Sequence, residues 1–179
     1  MSMSSLPRLA ELVRSRNTID AEIAGIIGRP PLTGHLGEYI ASVIFGIELH
    51  EMATHKGSDG IFRAGRLAGR SVNVKWYTRD EGLLDINPDA VPDYYLVLTG
   101  PRSPASSSRG ATRPFVISSV FLFDSRSLLT VLQVTGVEVG VATSVRRELW
   151  GSAEVYPHAN LILEVNGEQR RALELFRTG

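Results

Sequence analysis

Apolar residues return at helical spacing along the first quarter of the chain, and from about residue 48 they alternate instead. In "SLPRLAELVRSRNTIDAEIAGII" (5–27), Leu9, Leu12 and Val13 are followed by Ile19, Ile23, Ile26 and Ile27, one stripe of a helix. Asn17 or Thr18 can cap a second segment, so the pattern predicts one broken helix or two short ones. The paired prolines of "GRPP" (28–31) end it, because proline cannot continue a helix. Thr33 then opens "GHLGEYIASVIFGIEL", where Leu36, Ile40, Val43 and Ile44 predict an amphipathic helix ending near Gly46, with a capping arrangement at its start.

Two β-prone arms around "GRLAG", in "IFRAGRLAGRSVNVKWY", predict a hairpin. "PDYYLVLTG" (92–100) is a continuous apolar run bounded by Pro and Gly, the pattern of a buried strand, and "FVISSVFLFD" is another strand. Between them "PRSPASSSRGATRP" (101–114), rich in Ser, Pro and Arg, predicts a mobile loop rather than a domain linker. "SRSLLTVLQVTG" predicts a helix capped by Ser125, and "VEVGVATSV" a strand. The Asn-Gly of "NLILEVNGEQRRALELF" predicts a hairpin, whose second arm suits a helix equally well. Helices followed by mixed strands imply an α/β domain with a mixed sheet and helices over its faces. The spacing does not suit a doubly wound nucleotide-binding fold, and no glycine-rich phosphate loop follows a strand.

Composition narrows this picture. At 179 residues the chain is most simply one domain, 1–179, with a helical segment over 1–31 and the rest of the sheet and helices over 115–179. The absence of cysteine excludes disulfides, thiolate metal sites and a Cys nucleophile. No apolar run is long enough to span a bilayer and the start shows no signal-peptide pattern, so a cytoplasmic, non-membrane protein is expected. A formal net charge of zero speaks against a large non-specific nucleic-acid surface, but not against a local arginine-lined groove. His35, His50, His55 and His158 lack metal-ligand spacing; His35 lies one helical turn from Glu38 and can pair with it. Ser58 or Ser144 as a nucleophile would need a base and an oxyanion hole.

Only Lys56 and Lys75 are lysines among nineteen Lys and Arg residues. Where arginine is the habitual cation, a lysine inside "SVNVKWY" points to a property of the ammonium: a compact charge whose pKa shifts on burial. Strand alternation puts Val72, Val74 and Trp76 on one face and Ser71, Asn73, Lys75 and Tyr77 on the other. With the hairpin centred near Leu67, residue i lies opposite 134 − i, which sets Asp59 of "KGSDGIF" beside Lys75. A carboxylate, an amide oxygen and an ammonium then share one patch, the oxygen donors that a hard cation such as Mg²⁺ takes. Glu38, on the preceding helix, adds a second carboxylate, and Gly34 and Gly37 let that helix approach closely.

The order Glu38 in "GHLGEYIA", Asp59 in "KGSDGIF" and "NVK" at 73–75 resembles the PD-(D/E)xK nuclease superfamily, which includes many restriction endonucleases and mismatch-repair strand-nicking enzymes. The resemblance spans roughly residues 34–100. It implies a restriction-endonuclease-like mixed sheet flanked by helices and Mg²⁺-dependent hydrolysis of DNA phosphodiesters, with Mn²⁺ able to substitute. It assigns Asp59, the Val74 carbonyl and Asn73 to the metal and Lys75 to the attacking water and the scissile phosphate. Glu38 becomes an accessory acid that orients water or binds a second metal. DNA is the implied partner and a homodimer the common assembly. Two positions depart from the family pattern: "SDG" stands for "PD", and Asn73 stands where an anionic ligand is usual. The second removes a full negative charge from the site. An inactive nuclease-fold module that binds nucleic acid or a protein is the alternative, and a purely structural subunit a third. Outside that context, Asp59 reads as a turn residue before Gly60, Lys75 as a solvated strand residue, and Arg146 and Arg147 as phosphate contacts or plain surface charge.

Overall fold

The computed structural model describes residues 5–51, 57–103 and 114–177. Most of the Ser/Pro/Arg-rich stretch, together with His55 and Lys56, lies outside the described residues. Helices α1 (Leu6–Ile27) and α2 (Thr33–Phe45) come first. Strands β1 (Ile47–Leu49), β2 (Gly60–Phe62), β3 (Ser71–Tyr77), β4 (Leu83–Leu84), β5 (Tyr94–Thr99) and β6 (Ser119–Asp124) follow. The chain then runs through α3 (Ser125–Val134), β7 (Thr143–Ser144), α4 (Arg147–Ala153), β8 (Glu154–Tyr156) and α5 (Gly167–Glu174). Six strands form one mixed sheet in the order β1-β2-β3-β5-β6-β8, in which only the β3–β5 pair is parallel. The α/β class with helices around a mixed sheet is as the pattern implied.

Both faces of the sheet are covered, which is why "YYLVLT" is apolar without alternation. On one face Leu96, Leu98, Val120 and Leu122 pack with Val72, Val74 and Trp76 against Ile40, Ala41 and Ile44 of α2 and Leu173 of α5. On the other, Tyr95, Val97, Phe121 and Phe123 meet Leu128 and Leu132 of α3 and Trp150 of α4. Trp150 stands edge-on to Phe121 and Phe123, with centroids 4.8 and 4.9 Å away. Each such contact adds about 0.5–1.5 kcal/mol beyond area burial. Both tryptophans are therefore core residues.

Several local expectations are corrected. Residues 6–27 form one continuous helix, because Asn17 and Thr18 cap nothing and the Thr18 hydroxyl returns to the Arg14 carbonyl. Helix α2 starts after Leu32 with no side-chain cap. Asp124, not Ser125, caps α3, its Oδ1 accepting from Ser127 N at 2.8 Å. Of "VEVGVATSV" only Thr143 and Ser144 pair, with β4. The tail is no hairpin: Asn166 caps α5 in a capping box with Gln169, so the Asn-Gly step starts a helix. No helix among the described residues is long and apolar enough to cross a membrane.

Candidate functional site

The β2–β3 hairpin positions the residues of interest. Its turn contains a single 3₁₀ turn, Gly65–Leu67, closed by Phe62 N–H to Arg70 O at 3.0 Å and Gly69 N–H to Phe62 O at 2.8 Å. Gly65 and Gly69 lie at φ +73° and +79°, a region that favours glycine. The observed register pairs Gly60 with Val72 and Ile61 with Ser71, so residue i lies opposite 132 − i. The expected pairing of Asp59 with Lys75 is corrected by two residues, because the 3₁₀ turn Gly65–Leu67 that closes the hairpin is centred on Arg66, one position earlier.

Asp59 is tied to strands on both sides. Its N–H donates to Val72 O at 2.8 Å, and its carbonyl accepts from His50 N at 2.9 Å. Its carboxylate Oδ2 accepts from Val74 N–H at 2.7 Å. Strand β2 does not extend far enough to satisfy that donor with backbone, so the side chain substitutes for a ladder bond. Burial raises the Asp59 carboxyl above its usual range; the Val74 hydrogen bond opposes this, Glu38 adds to it, and Lys75 and Arg29 counter it. Glu38, Lys75 and Arg29 are thus all close enough for Asp59 to feel their charge.

Glu38 belongs to α2, whose Gly37 rests on β3: a Cβ there would lie 3.0 Å from Trp76 Cβ. Glu38 pairs there with Arg29 at 2.6 Å, with side-chain exposures of 15% and 42%. The expected pairing of Glu38 with His35 is absent; His35 Nδ1 lies 2.7 Å from Pro30 O. Arg29 is a site residue that the sequence hides, nine positions away across a proline turn.

The alternation of β3 is as predicted: Val72, Val74 and Trp76 are buried beneath α2, and Asn73, Lys75 and Tyr77 leave from the opposite face. Glu38 approaches from the α2 face, while Asn73 and Lys75 leave from the other, and Glu38 and Lys75 both lie within electrostatic reach of Asp59. Asn73 lies between the two residues that Asp59 bonds, and its Oδ1 is buried with no hydrogen-bond partner. Lys75 makes no hydrogen bond or ion pair among the described residues and lines a cleft of about 290 Å³ with Asp85, Asn87, Pro88 and Val141. Asp85 Oδ1 accepts from Ala142 N at 2.7 Å, and its own N–H donates to the Tyr77 hydroxyl at 2.9 Å. Burial raises the Tyr77 phenol above its ordinary range, so it stays protonated.

Two further contacts escaped sequence reasoning. His50 Nε2 lies 2.8 Å from Ser58 Oγ, beside Asp59, so Ser58 has a basic neighbour that no motif announced. Arg147 pairs with buried Asp80 at 2.6 Å, which makes it a structural cation rather than a solvated one.

These donors fit one hard cation. The orphaned Asn73 oxygen, the second Asp59 oxygen and the Val74 carbonyl would be its oxygen ligands, with water and phosphate supplying the rest for Mg²⁺. A cation there would also relieve the burial that disfavours the Asp59 carboxylate. Among the described residues no group of three or more His, Asp or Glu side chains is placed to hold a metal, so such a site would rest on few charges.

The chain matches no family model. It also has no significant match among curated proteins.

Proposed function

We propose that the chain is a Mg²⁺-dependent, PD-(D/E)xK-like nuclease that hydrolyses DNA phosphodiesters beside the β2–β3 pair. One observation carries this assignment: the Asp59 carboxylate is fixed on Val74 N–H, flanked by the unpartnered Asn73 oxygen and within the field of Lys75. Asp59, Asn73 and the Val74 carbonyl would hold the cation, which when bound supplies Lewis-acid stabilisation of charge on the phosphoryl oxygens. Lys75 holds the attacking water against the scissile phosphate and offsets the negative charge that develops there. Water adds to phosphorus and gives up one proton to solvent, one P–O ester bond breaks, and the departing alkoxide takes up a proton from solvent. Glu38 orients water, with Arg29 setting its direction.

A second reading, a nuclease-fold module without activity, is favoured by a specific feature. Arg29 neutralises Glu38, and Asn73 brings no charge, so of these residues Asp59 alone is left as an anion without an ion pair.

Cleavage of supercoiled plasmid by wild type and Lys75→Ala, with Mg²⁺, Mn²⁺ or EDTA, separates the two. Metal-requiring nicking that disappears in a folded Lys75→Ala protein supports the enzyme. Salt-dependent DNA affinity without cleavage supports the module. A protein indifferent to DNA in both assays speaks against the nuclease and against a DNA-binding module, and favours a protein-binding or structural role.

A further inference from the structure

Helix α1 runs for 22 residues, about 33 Å, yet none of them is buried. An isolated helix in water is marginal, and a helix this long normally owes its stability to a covered apolar face. Only Asp20, Ile23, Ala24 and Ile27 are even half-buried, where the helix end meets the rest of the fold. Leu9, Leu12, Ile19 and Ile26 are 53, 50, 56 and 68% exposed.

Those residues form a seam. Leu9, Leu12, Arg16, Ile19, Ile23 and Ile26 follow one another at steps of three, four, three, four and three, the a/d repeat of a two-helix coiled coil. The seam is symmetric about a point between Asn17 and Thr18. Reversed, it matches itself: Leu9 meets Ile26, Leu12 meets Ile23, and Arg16 meets Ile19. The charges follow the same symmetry. Arg8, Glu11, Arg14 and Arg16 make the first half of the helix net positive by two, and Asp20 and Glu22 make the second half net negative by two. A parallel pair would set like charge against like; an antiparallel pair sets each basic half on an acidic one. Arg16, the one charged member of the seam, would then reach Asp20 of the second copy as it reaches its own, 3.4 Å away.

We propose that α1 is a dimerisation element, and that two copies of this chain associate through antiparallel α1 helices about a two-fold axis between residues 17 and 18. A closed two-fold contact uses the same patch twice, which a self-matching seam requires. The inference stands on α1 alone and is independent of the nuclease reading.

Because the chain has no cysteine, introduced cysteines report the pairing directly. Full-length Leu9→Cys and Ile26→Cys are oxidised separately and as a mixture, beside sedimentation equilibrium of wild type and Ile19→Glu. The antiparallel dimer gives disulfide-linked dimer in the mixture and little in either variant alone. Wild type sediments as a dimer, and Ile19→Glu, which places two unpaired charges in the seam, weakens association by at least about a hundredfold with unchanged far-ultraviolet circular dichroism. Should Ile19→Glu disturb folding, the cysteine arm decides alone. Self-linking of each single variant means parallel pairing and overturns the proposal. So does a monomeric wild type, whether indifferent to vesicles or bound to vesicles of anionic lipid, which would make the stripe a membrane-surface helix.

Discussion

Asp59 and Val74 are joined by a 2.7 Å hydrogen bond in which a carboxylate oxygen takes the place of a backbone carbonyl at the end of a strand pair. The bond holds a half-buried carboxylate against β3 at Val74, between Asn73 and Lys75 in the chain, and the properties of this site follow from that placement.

Burial raises the Asp59 carboxyl above its ordinary value of 3.8, so its contribution to stability is present in full below that value and lost as pH rises through the raised one. Asp59→Asn keeps an oxygen for Val74 N–H and removes the charge. Its melting temperature at neutral pH is expected to equal or exceed that of wild type. Mg²⁺ at ten times its dissociation constant should stabilise wild type by about 1.4 kcal/mol, about 3–5 °C for a domain of this size. Asp59→Asn should lose that response. A variant that still responds to Mg²⁺ would remove Asp59 from the ligand set.

Asn73→Asp restores a carboxylate where an amide oxygen has no partner. Without metal the extra buried charge should cost about 1–3 kcal/mol in urea unfolding. Mg²⁺ affinity, followed by isothermal titration, should rise by about tenfold or more, since ligand charge governs such sites. Unchanged affinity would show that Asn73 does not face the cation.

Ser71 and Asp93 clasp the starts of β3 and β5: Asp93 Oδ2 accepts from Ser71 N and Oγ, and Asp93 N donates to Ser71 Oγ, all at 2.8 Å. These bonds, the Ser71 N–H first, lower the Asp93 carboxyl below 3.8. Its stabilisation is therefore present above that value and lost as pH falls through the lowered one. Asp93→Asn should cost about 1 kcal/mol at neutral pH and flatten the acid limb of stability against pH. An acid limb identical to that of wild type would show that other carboxylates set it.

Gly37→Val tests how closely α2 sits on β3. Its Cβ would meet Trp76 Cβ at 3.0 Å, and Trp76 is anchored in the sheet by its Nε1–H to Val116 O. Overpacking here should cost about 2–3 kcal/mol and displace Glu38 away from β3. Chemical denaturation measures the first. A stability equal to wild type would mean that α2 slides without resistance.

Much of this was legible in the sequence because it depends on local periodicity. The 3.6-residue stripe of "HLGEYIASVIF" sufficed for α2, the two-residue alternation of "SVNVKWY" for β3 and its two faces, and the unbroken apolar run of "YYLVLT" for a strand covered on both sides. The types and order of Glu38, Asp59, Asn73 and Lys75 were equally open to view. What the sequence could not carry were choices made between distant groups. Whether Asn17 interrupts α1, and whether Asn-Gly makes a turn or a cap, is decided by which backbone donors lack partners in the folded chain. The two-residue shift of the hairpin comes with a 3₁₀ turn centred on Arg66, beside which Leu67 is buried in a core assembled from other elements. Arg29 reaches Glu38, and Arg147 reaches Asp80, only because packing closes 9 and 67 residues of chain into contact distance. Local periodicity by itself determined the elements and the chemistry available to them; burial and long-range pairing, which are properties of the closed fold, decided which groups meet.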